Sequence, residues 1–291
     1  MQHAIYLPNY GAYGDARTLA TLARDAEQAG WDGFFLWDHI AGDEPLPVVD
    51  PWVALAAVAL HTERIRLGTT VTPLPRRRPW KVARETVSLD RLSGGRLVLG
   101  VGIGLGAREW DDLGEETDQK MRGAMLDEAL DVVTGLWQGT PFSYDGAFYR
   151  VTDAQFLPVP VQQPRIPVWV GGFWPNKAPM RRAVRWDGVF PLVPSEDPPE
   201  RLEQFREAAQ FVREQRAAIG ATGPFDVIAV GMTWPHDDPA GAAATVAEYA
   251  DAGATWWLEV IVPWRCGYEG TGPWPAEAMR ERVLQGPPGG G

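Results

Sequence analysis

An α/β architecture, a (β/α)8 TIM barrel with one excursion between its fourth and fifth strands, is the fold class that the sequence predicts. Three observations carry it. Apolar runs of strand length alternate with helix-length amphipathic stretches along the whole chain. The alternation amounts to eight strand–helix units in 285 residues of the 291, the size of such a barrel. No linker or composition shift divides the chain, whereas a two-domain dinucleotide-binding enzyme would show two composition blocks and an early phosphate loop. The expected organisation is a single domain over residues 1–285 and a flexible tail over residues 286–291.

Residues 3–7 are the first strand, and residues 15–29 a helix closed by Gly30. Residues 33–37 make a compact buried strand, followed by an apolar, alanine-rich helix over residues 51–61 with proline in its first turn. Residues 65–71 are the third strand. The helix over residues 79–92 follows and stops at Ser93-Gly94-Gly95. Residues 97–101 are the fourth strand, and residues 121–137 its long helix. The alternation breaks at "PFSYDGAFYRV", where Asp145-Gly146 between alternating aromatic residues signals a hairpin. Residues 141–164 are therefore expected to leave the barrel. "IPVWVGG" resumes it as the fifth strand, with a helix over residues 177–185. Residues 188–191, 225–232 and 256–262 are the last three strands, and residues 199–219, 239–252 and 275–284 their helices.

Composition narrows the function. A net charge of −11 argues against nucleic acid, because duplex affinity rests on Lys and Arg neutralising phosphates. One cysteine, Cys266, excludes an internal disulfide and a CxxC metal site. The four histidines show no metal-ligand spacing, so no metal is expected. No signal segment opens the chain and no apolar run approaches the roughly 18 residues of a membrane span. A cytoplasmic protein without a membrane partner is expected.

"RLVLGVGIGLGA" contains Gly102-x-Gly104-x-x-Ala107, a relaxed dinucleotide fingerprint. Three strands precede it, however, and the acids at the right distance, Asp127 and Glu128, fall within a helical pattern. Position thus speaks against a pyrophosphate site. The glycines instead sit at the C-terminal end of a barrel strand, on the face where barrel enzymes keep their active sites. A tight strand-to-helix connection would explain them equally.

Trp37-Asp38-His39 follows the second strand and places an ionisable pair at the mouth, suited to proton transfer. The purely structural alternative has Asp38 capping a turn and His39 packing. Gly171-Gly172-Phe173-Trp174 follows the fifth strand, and a Gly-Gly turn opening into a helix offers N–H groups to a phosphate, with Lys177 adding a cation. Thr233-Trp234 and Pro263-Trp264-Arg265 end the seventh and eighth strands. Arg76-Arg77-Arg78 reads as a solvated loop, or as an attractor for an anionic cofactor tail. Most of the 14 tryptophans are expected to be core or surface residues.

Together these pieces resemble the luciferase-like monooxygenases and their flavin- and deazaflavin-dependent relatives. The resemblance runs from "LPNYG" to the eighth strand. It is carried by "GWDGFFLWDHI", "RIRLGTTVTPLPRRRPWKVARETVSLDRLSGGRLVLGVGIG", "DEALDVVTGLWQGTPFSYDGAFYRV" and "PRIPVWVGG" in that order. It implies a flavin-type ring, coenzyme F420 or FMN, at the barrel mouth of a homodimer. The matching positions assign a non-proline cis peptide to Thr70–Val71, ring and ribityl contacts to Gly102, Ile103 and Gly104, and the cofactor phosphate to Gly171, Gly172 and Phe173. Asp38 and His39 match an Asp-His pair that contacts ring and substrate, and Glu109 matches a family acid of catalytic or structural use. Sugar-phosphate dehydrogenases of the family carry an acid where Leu105 stands and an aromatic residue at Gly42-Asp43, which argues against a sugar phosphate here.

The expected activity is hydride transfer between this cofactor, preferably F420, and a small organic substrate, with His39 exchanging the proton and Asp38 orienting it or contacting the ring. Trp37, Trp174, Trp234 and Trp264 are candidate substrate walls, and Arg265 a candidate for a negative group. The alternatives are an FMN-dependent monooxygenase served by a flavin reductase, a non-catalytic flavin-binding barrel, and an unrelated lyase or aldolase. The last would want a lysine or metal cluster at a strand end, and the sequence supplies neither.

Overall fold

The structure is a computed structural model that describes residues 1–41, 45–106 and 108–289. Eight parallel strands close into a barrel: β1 (Gln2–Leu7), β2 (Gly33–Leu36), β3 (Arg66–Pro73), β4 (Leu97–Gly102), β7 (Val168–Phe173), β8 (Gly188–Leu192), β9 (Asp226–Gly231) and β10 (Trp256–Val260). The remaining two, β5 (Phe142–Asp145) and β6 (Arg150–Ala154), pair antiparallel outside it. Around the barrel run α1 (Ala16–Gln28), α2 (Pro51–His61), α3 (Pro79–Leu92), α4 (Arg108–Asp111), α5 (Gln119–Trp137), α6 (Lys177–Ala183), α7 (Pro198–Ala218), α8 (Pro239–Asp251) and α9 (Ala276–Leu284). The barrel order β1-β10-β9-β8-β7-β4-β3-β2 matches the fold class expected from the sequence, with the excursion between the fourth and fifth barrel strands.

Local chemistry sets the helix starts. Asp15, Asp50 and Asp118 each accept from backbone N–H groups one turn on, which satisfies donors with no intrahelical partner. Inside the barrel, Phe35, Trp169 and Trp256 pack together with centroids 5.0–5.8 Å apart, Trp256 edge-on to both of the others. A Cβ at Gly33 would lie 2.7 Å from the Phe35 ring, and one at Gly188 would lie 2.4 Å from the Trp169 ring, so both strands need glycine there.

The hairpin forms where the sequence signals it, outside the barrel. Asp145 ends β5 and the connection takes residues 146–149, because Glu128 on α5 accepts from the N–H groups of Ala147, Phe148 and Tyr149. Asp127 beside it pairs with Arg182 at 2.6 Å. Both acids at fingerprint distance are thus engaged in packing. Of the expected tail, Gly286 and Pro288 are buried, and residues 290 and 291 lie outside the described residues.

Candidate active site

At the C-terminal mouth the chain leaving β2 carries Trp37, Asp38 and His39 between the segments that leave β1, β3 and β4. Asn9, fully buried after β1, accepts from the His39 N–H at 3.1 Å and donates to its carbonyl at 2.8 Å and to that of Val49 at 2.7 Å. Glu109 on α4 accepts from the N–H groups of Ile40 (2.7 Å) and Ala41 (3.2 Å), and its Oε1 lies 3.1 Å from His39 Nδ1. The His39 backbone is thereby pinned from two sides and its ring held by one nitrogen.

Arg76 joins the two carboxylates of the site. It donates to Glu109 Oε2 at 2.8 Å, to the Asp38 carbonyl at 2.6 Å and to Asp38 Oδ1 at 3.3 Å. Arg77 donates to both Asp38 oxygens, and Thr72 Oγ1 to Oδ2 at 2.7 Å. Burial pushes the Glu109 carboxyl up, but the hydrogen bond from His39 and the Arg76 guanidinium outweigh it and hold it down at about 2. A carboxylate accepts only, so it fixes the proton of a neutral His39 on Nδ1 and leaves Nε2 as the basic nitrogen.

His39 lines a cavity of about 260 Å³ closed by Tyr10, Leu46, Trp264, Tyr268 and Trp274. Nearby, Tyr6, Val71, Leu192 and Val230 cap the barrel core as a partly exposed apolar floor. The Thr70–Val71 peptide is cis, as the resemblance implied, and the pairing of β3 with β4 shifts register between Thr69 and Thr72. Val71 is seated between two glycines: a Cβ on Gly102 or on Gly171 would each lie 2.7 Å from one of its methyl groups. Among the described residues, Thr70 Oγ1 and Trp37 Nε1 find no hydrogen-bond partner although both are buried. A half-exposed apolar floor with isolated polar atoms beside it fits a planar, polar-edged ring.

Several expectations need correction. Asp38 does not orient His39; the acid in contact is Glu109, 70 residues away in the chain. Arg76 and Arg77 are not a solvated loop, because a 3-10 turn over Leu74–Arg76 turns them inward, with side chains 2% and 16% exposed. Gly171 and Gly172 are strand residues paired with Phe190 and Pro191, and Phe173 ends β7 exposed, so no open Gly-Gly turn forms. Asn176 caps the following helix through Ala178 N–H, and Lys177 rests its ammonium 3.3 Å from the Trp174 ring centroid. Trp174 is buried against Phe211 and bonded to Glu207, away from the cavity. Arg265 is paired with Glu259 at 2.6 Å and lies over the exposed Trp234, which the described cavity does not include. Trp37 packs behind His39 against Tyr6 and Tyr10; of the four candidate walls, Trp264 lines the cavity.

Gly104 has φ of +84°, and a Cβ there would meet the Trp110 ring at 2.4 Å, so helix packing explains this glycine. Ile103 beside it is partly buried against the core between barrel and helices. Ala107, Gly42 and Asp43 lie outside the described residues. Sequence reasoning assigned no role to Asn9, Tyr10, Tyr268 or Trp274, although "LPNYG" carried the first two at a strand end.

An eight-stranded barrel with an acid–histidine pair at its C-terminal mouth has the layout of a barrel enzyme, and the family match makes it an oxidoreductase. The chain belongs to the luciferase-like monooxygenase family, whose model matches residues 4–282. Rv0940c of Mycobacterium tuberculosis is 30% identical over 243 residues, which are 76% of this chain and 80% of that one. The F420-dependent glucose-6-phosphate dehydrogenase of Nakamurella multipartita is 34% identical over 164 residues, covering 54% of this chain and 47% of that enzyme. The crystal structure of monooxygenase RslO1 from Streptomyces bottropensis shares the fold with a TM-score of 0.75 at 22% identity, covering 97% of this chain and 96% of that one. Among the described residues no helix is long and apolar enough to cross a membrane.

Proposed function

We propose that the protein transfers hydride between a flavin-type cofactor at the barrel mouth and a small organic substrate held beside His39. The observation that carries this is the Glu109–His39 contact of 3.1 Å at the wall of the cavity. A histidine fixed through Nδ1 presents Nε2 as the proton acceptor for an alcohol being oxidised, or as donor to a carbonyl being reduced. The bound cofactor supplies the two-electron step, taking or giving the hydride at the substrate carbon. Tyr6, Val71 and Ile103 would lie against its ring, with Gly102 and Gly171 giving Val71 the room to do so. Asp38 and Glu109 balance the charges of Arg76 and Arg77 within the site, and Arg76 supports Glu109.

The deazaflavin F420 is favoured by the Asp-His pair and by the relative from Nakamurella multipartita; FMN is the alternative that the family's description carries. A flavin-binding barrel without catalysis is disfavoured by an open cavity that retains an oriented histidine. Absorbance and fluorescence titration of the purified protein with each cofactor tests the assignment. Saturable binding of F420 is expected, and tight binding of neither would refute it. His39→Ala is expected to bind the cofactor and lose about 10²–10⁴-fold in turnover.

A further inference from the structure

We infer that the cavity beside His39 takes a planar, uncharged aromatic ketone or its secondary alcohol, rather than a phosphorylated sugar. Three features point there. First, the walls are aromatic and come from two distant parts of the chain: Tyr10 from the segment after β1, and Trp264, Tyr268 and Trp274 from the segment between β10 and α9. Aromatic walls favour a flat apolar guest, whereas a polyol needs hydrogen-bond partners for each hydroxyl.

Second, the wall is built rather than incidental. Trp274 contacts Tyr10 and Tyr13 edge to face, with centroids 5.6 and 6.2 Å away. It sits directly over Gly11, where φ is +66° and a Cβ would come within 2.4 Å of the indole. Any side chain at residue 11 would move the ring. Trp264 remains 53% exposed at the rim, a large apolar surface kept open to solvent.

Third, the charges are arranged for a neutral guest. Arg76 and Arg77 point into Asp38 and Glu109. Arg108, the lysine or arginine among the described lining residues, is exposed and turns to Asp112 at 3.5 Å. Polar chemistry is concentrated at the His39 end, which suits a single oxygen on an otherwise apolar molecule. A cavity of about 150 Å³ holds benzene, so 260 Å³ corresponds to about ten non-hydrogen atoms.

The substrate class rests on the oxidoreductase reading, but its test does not need turnover. Acetophenone, 1-phenylethanol, glucose 6-phosphate and inorganic phosphate are titrated calorimetrically into the protein, alone and with F420. Saturable binding is expected for the two aromatic compounds, weakened about tenfold by Trp264→Ala and by Trp274→Ala. Trp264 is exposed, so its replacement leaves the core intact and covers the case in which the Trp274 variant fails to fold. Glucose 6-phosphate or phosphate displacing acetophenone would overturn the inference. So would no binding of the aromatic compounds, or binding unchanged in the Trp264 variant. His39→Ala is expected to retain the aromatic ligand; if it also retained turnover, the proton-exchange role of His39 would fall while the substrate class stood.

Discussion

Replacing Glu109 with glutamine removes one negative charge from a site where its side chain is 5% exposed. Its carboxyl lies at about 2 instead of the ordinary 4.5. That difference corresponds to ~3 kcal/mol of native-state stability at neutral pH. The sign follows from the depressed value. The contribution is fully present above the unfolded value, and it is lost as pH falls from about 5 toward 2, with about 2 kcal/mol gone by pH 3. Urea denaturation of the two proteins at steps from pH 7 to pH 3 is the assay. The variant is expected to be less stable by ~3 kcal/mol at pH 7, and the gap is expected to close as the pH falls. Two curves running parallel from pH 7 to pH 3 would refute the reasoning. A gap below about 0.5 kcal/mol at pH 7 would do the same.

Two further outcomes test the frame that holds the site. Arg96 donates to the carbonyls of Ala59, Thr62, Ile65 and Ser93 from a buried position, so Arg96→Met is expected to lose about 3–5 kcal/mol in urea denaturation, with turnover per folded molecule preserved. Gly102→Ala presses on Val71 and is expected to lose about 1–3 kcal/mol, of which Val71→Ala in the same chain restores more than half; simple additivity in that double-mutant cycle would exclude the contact.

Much of the scaffold was legible because period and punctuation are local properties. Residues 51–61 read as a helix from proline in the first turn, and the Ser93-Gly94-Gly95 stop appears where α3 ends. The hairpin was legible at Asp145-Gly146, but the length of its connection was not, because Glu128, which accepts from the connection's N–H groups, lies 19 to 21 residues upstream on a helix. The site was legible in position but not in pairing. Asp38 and His39 stand together in sequence and at the same mouth in space, yet successive residues of an extended segment turn to different sides. Asp38 consequently meets Arg77, while His39 meets Glu109.

The sequence by itself determined the eight-unit barrel, the side of it that carries chemistry, and the family. These follow from apolar periodicity, strand order and motifs that each occupy a few consecutive residues. Only the tertiary structure decided which partner each charged or aromatic side chain takes. Barrel closure brings the segments after β1, β2, β3 and β4 beside the one between β10 and α9. That meeting turns Arg76 and Arg77 inward onto two acids, withdraws Trp174 and Arg265 into structural contacts, and assembles Tyr10, Trp264 and Trp274 around His39.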